Sequence, residues 1–131
     1  MSDLLGFLNW ARSWWRNKQR ERAEALNVER KYVVQVDDDG MSVIHPNGDV
    51  QTVEWNAVQS IAIHTTDGGP WAIDCWWVLH AGETHCMWPR GATGEEQARD
   101  RLFTRFPDID NEALLLAYGC TDNAHFVCWK R

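Results

Sequence analysis

An α+β domain is the fold the sequence predicts: an antiparallel meander sheet of about six strands, an N-terminal helix, two C-terminal helices and a closing strand. Three observations carry it. Apolar residues recur with a helical period over residues 2–30 and switch to a period of two at Tyr32. Turn residues then punctuate the chain at Asp37-Asp38-Asp39-Gly40, Pro46-Asn47-Gly48-Asp49 and Gly82-Glu83. Helical patterning returns only near Gly94, and Pro107 and Gly119 bound it.

Residues 1–30 read as an amphipathic helix appended to a single domain over residues 31–131. Ser2 can cap it. Leu4, Leu5, Leu8, Ala11 and Trp15 share one side, which Phe7, Trp10 and Trp14 widen. From Arg16 to Arg30 the helix turns strongly charged. Strands follow at Tyr32–Val36, Met41–His45, Val50–Trp55 and Val58–Thr66, and Gly40 is expected to supply a positive φ in the first hairpin turn.

The centre of the chain is Thr65 to Trp88, which carries four of the nine tryptophans. A turn at Gly82-Glu83 sets His80 opposite His85, Leu79 opposite Cys86 and Trp77 opposite Trp88. Cys75, Trp77, Leu79, Cys86 and Trp88 then share the core face, and Asp74, Trp76, Val78, His80, His85 and Met87 share the other. Thr93 and Glu96 are read as a capping box for a helix from about Gly94 to Phe106. Asp110 caps a second helix, Asn111–Tyr118, which Gly119 stops. His125–Lys130 closes the fold as a strand.

The net charge of -6 is unevenly spread. Residues 1–31 hold seven Lys/Arg against four Asp/Glu, net +3, and residues 32–131 hold six against fifteen, net -9, which sum to -6. An acidic domain repels phosphates, so nucleic acid is excluded as its partner, and a basic protein suits it. No secretory signal and no apolar run long enough to span a bilayer are read, which places the chain in the cytoplasm, with a peripheral position at the inner membrane open to it. Four cysteines in that compartment are expected as free thiols.

Catalytic, cofactor and metal assignments are none. His80, His85, Cys86, Cys120, His125 and Cys128 are the metal-ligating types present, without the paired spacing of a structural zinc site. Cys75 has Asp74 beside it but no base on its own face. The Asp37–Asp39 run is a turn, since calcium loops place acids at alternate positions. Arg90, Gly91, Thr93 and Gly94 precede a helix start and form a candidate anion site, against which Glu95 and Glu96 weigh. Nine tryptophans exceed what so small a core buries, so Trp10, Trp14, Trp15, Trp71 and Trp76 are candidates for an interaction surface.

Three segments carry a resemblance: Ile63–Trp71 with Asp74, Trp76 and Trp77; Pro89–Glu95; and Phe106–Ala113 with Asn123–Trp129. Over about residues 32–130 they resemble a family of small, mostly proteobacterial proteins of uncharacterised function. That family brings no activity and no functional residues. The meander with a helix behind it is also loosely similar to pleckstrin-homology-like half-barrels, which end on the helix where this chain adds a strand.

The leading expectation is a non-enzymatic interaction protein, in its most concrete form an immunity or adaptor protein that binds a basic partner such as a toxin. A second reading is a peripheral membrane protein anchored through residues 2–22. A third is a small-molecule binder or enzyme built on Asp67–Trp71 and Arg90–Gly94. The N-terminal helix also suits a homodimer contact.

Overall fold

The computed structural model describes residues 28–67 and 73–131. The expected N-terminal helix lies almost wholly outside them, and residues 28–30 are helical. The described chain is α+β. Its strands are β1 (Val33–Val36), β2 (Gly40–Ile44), β3 (Val50–Glu54), β4 (Ser60–Thr65), β5 (Cys75–Ala81), β6 (Thr84–Pro89) and β7 (Ala124–Lys130). Its helices are α1 (Glu95–Arg105) and α2 (Asn111–Tyr118).

The single meander is corrected to two sheets, a three-stranded β1-β2-β3 and a four-stranded β6-β5-β4-β7, with all named pairs antiparallel. A 3-10 turn at Trp55–Ala57 makes the break. Trp55 swings its indole into the core at 2% exposure, and its Nε1 donates to the Asp37 carbonyl at 2.9 Å. That bond ties the turn to the β1–β2 hairpin, so the chain leaves the first sheet and starts the second.

The β5–β6 register is the expected one: His80 faces His85, Leu79 faces Cys86 and Trp77 faces Trp88. The inner face of the four-stranded sheet is closed off from solvent. Trp77, Leu79, Cys86, Trp88, Ile61 and Ile63 are all 0% exposed. Trp77 and Trp88 stack with ring centroids 5.9 Å apart and planes at 4°. Met41, Val43 and Val53 of the first sheet join this core, as do Ala98 and Leu102 of α1 and Leu114 and Ala117 of α2. On the outer face His64, His80, His85 and His125 are exposed, and Trp76, Val78 and Met87 are half-buried.

Two local expectations change. Gly40 has no positive φ; the left-handed glycines are Gly48, Gly82, Gly91 and Gly94. Gly40 serves a close approach instead, since a Cβ there would stand 2.1 Å from the Val53 carbonyl oxygen. The hairpin turn is held by Asp37, whose Oδ1 accepts from the Asp39 and Gly40 amides at 2.9 and 2.8 Å. Nor does Thr93 cap α1. The N-cap is Gly94, with no side-chain cap. The second helix is capped as its sequence predicts: Asp110 Oδ1 accepts from the Glu112 and Ala113 amides. Asp110→Ala should therefore cost about 1 kcal/mol, read as a lower urea midpoint at unchanged slope. An unchanged midpoint would show that the cap contributes nothing.

All four cysteines are free, and three are buried. Burial pushes the Cys75 and Cys128 thiols up to about 11 and the Cys86 thiol up to about 12. The thiolate is the reactive form. Native protein at pH 8 should take up one equivalent of a maleimide promptly, at Cys120, and the other three only on unfolding. Prompt labelling of a second cysteine would contradict this packing.

Candidate functional site

The sequence candidates separate under the structure. Trp10, Trp14, Trp15 and Trp71 lie outside the described residues. Trp76 is half-buried and packs edge-on against Tyr32, with ring centroids 5.4 Å apart. It joins the start of the first sheet to the second rather than standing free. Trp129 likewise packs on Phe106, at 4.6 Å.

In the Arg90–Gly94 loop most backbone donors are engaged within the chain. The Arg90 amide donates to the Cys75 carbonyl at 2.9 Å, Ala92 to Pro89 at 3.1 Å, Thr93 to Tyr32 at 2.9 Å and Glu95 to Ala92 at 3.2 Å. The Gly91 amide donates to Glu95 Oε2 at 2.6 Å, and the Thr93 hydroxyl donates to the Arg30 carbonyl at 2.7 Å. Thr93 also bridges Val33 in parallel, so the loop doubles as an edge partner for β1.

What assembles here instead is a set of carboxylates. Glu29 comes from the helical turn before β1, Asp74 from the residue before β5, and Glu95 from the first turn of α1. Glu29 and Glu95 both approach Gly91. A Cβ on Gly91 would stand 2.6 Å from Glu29 Oε2, so Glu29 rests on one side of that residue while Glu95 holds its amide. Burial raises the Glu29 carboxyl above its ordinary value, and the charges of Asp74 and Glu95 raise it further; Arg90 opposes them. Arg90 itself lies over the Tyr118 ring, its guanidinium carbon 4.3 Å from the centroid. Burial raises the Tyr118 hydroxyl, and the nearby Arg99 and Arg90 charges oppose that rise.

Glu95 is the unusual member. It is 8% exposed, the one buried acid among the described residues. Its Oε1 has no hydrogen-bond partner among the described residues. A hollow of about 470 Å³ opens at the same helix start, lined by Ala92, Thr93, Gly94, Glu95, Glu96 and Gln97. Among the described residues no three of His, Cys, Asp or Glu stand close enough to share a metal ion. Positions 29, 74 and 95 form no local motif, and the only sequence signal was the Glu95-Glu96 pair at a helix start.

Glu29 supplies a pH test. A carboxyl raised on folding adds stability that is fully present below its ordinary value of 4.5 and lost as pH rises through the raised value. Glu29→Gln, permanently neutral, should raise the urea midpoint at pH 8, and the gain should vanish below pH 4.5. An equal effect at both pH values would remove the like-charge account.

No family model, curated protein or solved structure matches this chain.

Proposed function

We propose that this protein is a non-enzymatic interaction module, of immunity or adaptor type, whose acidic domain takes a basic protein partner. One observation carries the reading: the exposed charge of the domain is predominantly acidic. Of the fifteen acids in residues 32–131, all but Glu95 are exposed. Of the six cations, Arg99 and Arg101 are half-buried and the other four are exposed. Arg101 pairs with Asp38 at 2.9 Å, and Arg105 donates to the Asp38 carbonyl at 2.6 Å. Arg131 donates to the Asn56 carbonyl at 3.0 Å, Arg90 lies over the Tyr118 ring, and Arg99 is half-buried. Lys130 makes no such contact among the described residues. The outward field is therefore negative, and such a field steers a basic partner and speeds encounter.

The test starts with tagged full-length chain captured from the native bacterium and the retained protein identified. The purified pair is then measured against ionic strength. A basic partner is expected, with an association rate that falls as salt rises. An acidic partner, or a salt-independent rate, sinks the reading.

The membrane reading keeps one observation of its own, the Leu, Phe and Trp residues of positions 4–15 followed by Arg16, Lys18, Arg20 and Arg22. Flotation with anionic vesicles decides it: full-length chain and a Trp10, Trp14, Trp15 triple alanine variant that float equally would exclude it. Among the described residues no helix is long and apolar enough to cross a membrane.

A further inference from the structure

The outer face of the four-stranded sheet carries two histidine pairs, each set by strand register. His80 faces His85 across β5 and β6, and His64 faces His125 across β4 and β7. All four residues are exposed. The two pairs differ in where their rings lie. His85 is directed at Gln51 of β3, Nε2 to Nε2 at 3.5 Å. His64 and His125 lie beside each other, with ring centroids 5.9 Å apart and planes at 52°. The hydrogen bonds around that second pair belong to its neighbours. The Thr65 hydroxyl donates to the Asp122 carbonyl at 2.7 Å, and the Asp67 amide donates to Asn123 Oδ1 at 3.2 Å. These bonds clasp the two strand ends and leave both imidazoles unclaimed among the described residues.

We propose that His64 and His125 form a site for one divalent transition-metal ion of the zinc, nickel and copper class. Imidazole is a ligand that suits this class, whereas magnesium and calcium take oxygen. Two nitrogens on one zinc ion stand at most about 4 Å apart, since each bond is about 2.0–2.1 Å. Directly opposed residues of an antiparallel pair hold their Cβ atoms about 4.5–5.5 Å apart. Rotation of two exposed side chains therefore closes the remaining gap with the backbone fixed. Both ligands stand on paired strands rather than on a loop, which keeps their spacing constant. Among the described residues no third His, Cys, Asp or Glu joins them, so the ion keeps its other positions for water. Such a site is open and exchangeable, unlike a closed four-ligand structural zinc. Because one ligand comes from β4 and the other from β7, a bound ion bridges the two strands. The pair is far apart in the chain and forms only through the ladder, so no local spacing announces it.

The site is independent of the basic-partner reading. Full-length protein labelled with nitrogen-15 is titrated with zinc chloride at neutral pH, with magnesium chloride at equal ionic strength as control, and the imidazole nitrogens are followed. A saturable shift of one ring nitrogen in each of His64 and His125 is expected with zinc and not with magnesium. Affinity should fall by about tenfold or more in His64→Ala and in His125→Ala, because a lone imidazole loses the second, intramolecular ligand. It should stay unchanged in His80→Ala. All three variants alter exposed residues, and a dispersed spectrum confirms that they fold. Zinc should also raise the urea midpoint of the native chain and not that of His125→Ala, since the pair exists only in the folded state. Shifts without saturation, an equal loss in His80→Ala, undiminished affinity in His64→Ala, or a native midpoint indifferent to zinc overturns the site.

Discussion

Replacing Trp77 by alanine should cost about 3–5 kcal/mol, which is most of the stability of an ordinary small domain. The indole is 0% exposed and stacks on Trp88 across the β5–β6 ladder. Its removal leaves a cavity that the close-packed sheets cannot collapse around. The expected result is a protein largely unfolded at 37 °C by far-ultraviolet circular dichroism. Trp77→Phe should behave very differently. Neither Trp77 Nε1 nor Trp88 Nε1 has a hydrogen-bond partner among the described residues. Phenylalanine keeps much of the stack and discards an unpaired buried donor, which offsets part of the lost volume. Trp77→Phe is expected to retain a cooperative transition with well under half the loss of the alanine variant. Equal losses would mean that the indole N–H is satisfied in solution.

The second large effect belongs to Gly94, where α1 begins. Gly94 sits at φ 86, and a Cβ there would stand 2.2 Å from the backbone oxygen of Val34. Gly94→Ala must therefore meet two costs, the left-handed conformation and a clash with a strand that cannot swing aside. Together they come to about 2–5 kcal/mol. Gly48 is the internal control: its φ is 93, yet nothing lies within 4 Å of its would-be Cβ. Gly48→Ala should cost only about 1–2 kcal/mol. The difference between the two urea midpoints measures how firmly β1 is seated on the Thr93–Gly94 segment, to which the Val34 amide donates at 2.8 Å. Similar losses at both glycines would show that the β1 edge yields.

Much of this fold is legible in the sequence because its strands obey local rules. The turn at Gly82 fixes the β5–β6 register, and the period of two then sorts Trp77 and Trp88 inward and His80 and His85 outward without further information. Asp110 announces its cap for the same reason, since an N-cap acts within three residues. What escapes such reading is decided at long range. Gly40 looks like a turn glycine, but its use is set by Val53, thirteen residues on. Thr93 has the spacing of a capping box, yet its hydroxyl is claimed by the Arg30 carbonyl, a partner of far separation. The carboxylate set is invisible for that reason too: Glu29, Asp74 and Glu95 are neighbours only after the sheets are paired. The contact of Trp76 with Tyr32 is likewise decided at long range, since the two are neighbours only in the folded chain.

The order β6-β5-β4-β7 also bears on how the molecule is made. β4 is an interior strand, and one of its two neighbours, β7, leaves the ribosome after every other described element. Until residues 124–130 are released, Ile61 and Ile63 sit on a strand whose outer edge has nothing to pair with, although both are wholly enclosed in the finished fold. A nascent chain in that state exposes an apolar, unpaired edge, the kind of template on which chains aggregate. The window closes only when β7 docks, so the sheet is completed after every other described element has been synthesised. Loss of the final eight residues by a nonsense mutation should yield inclusion bodies rather than a soluble shortened domain.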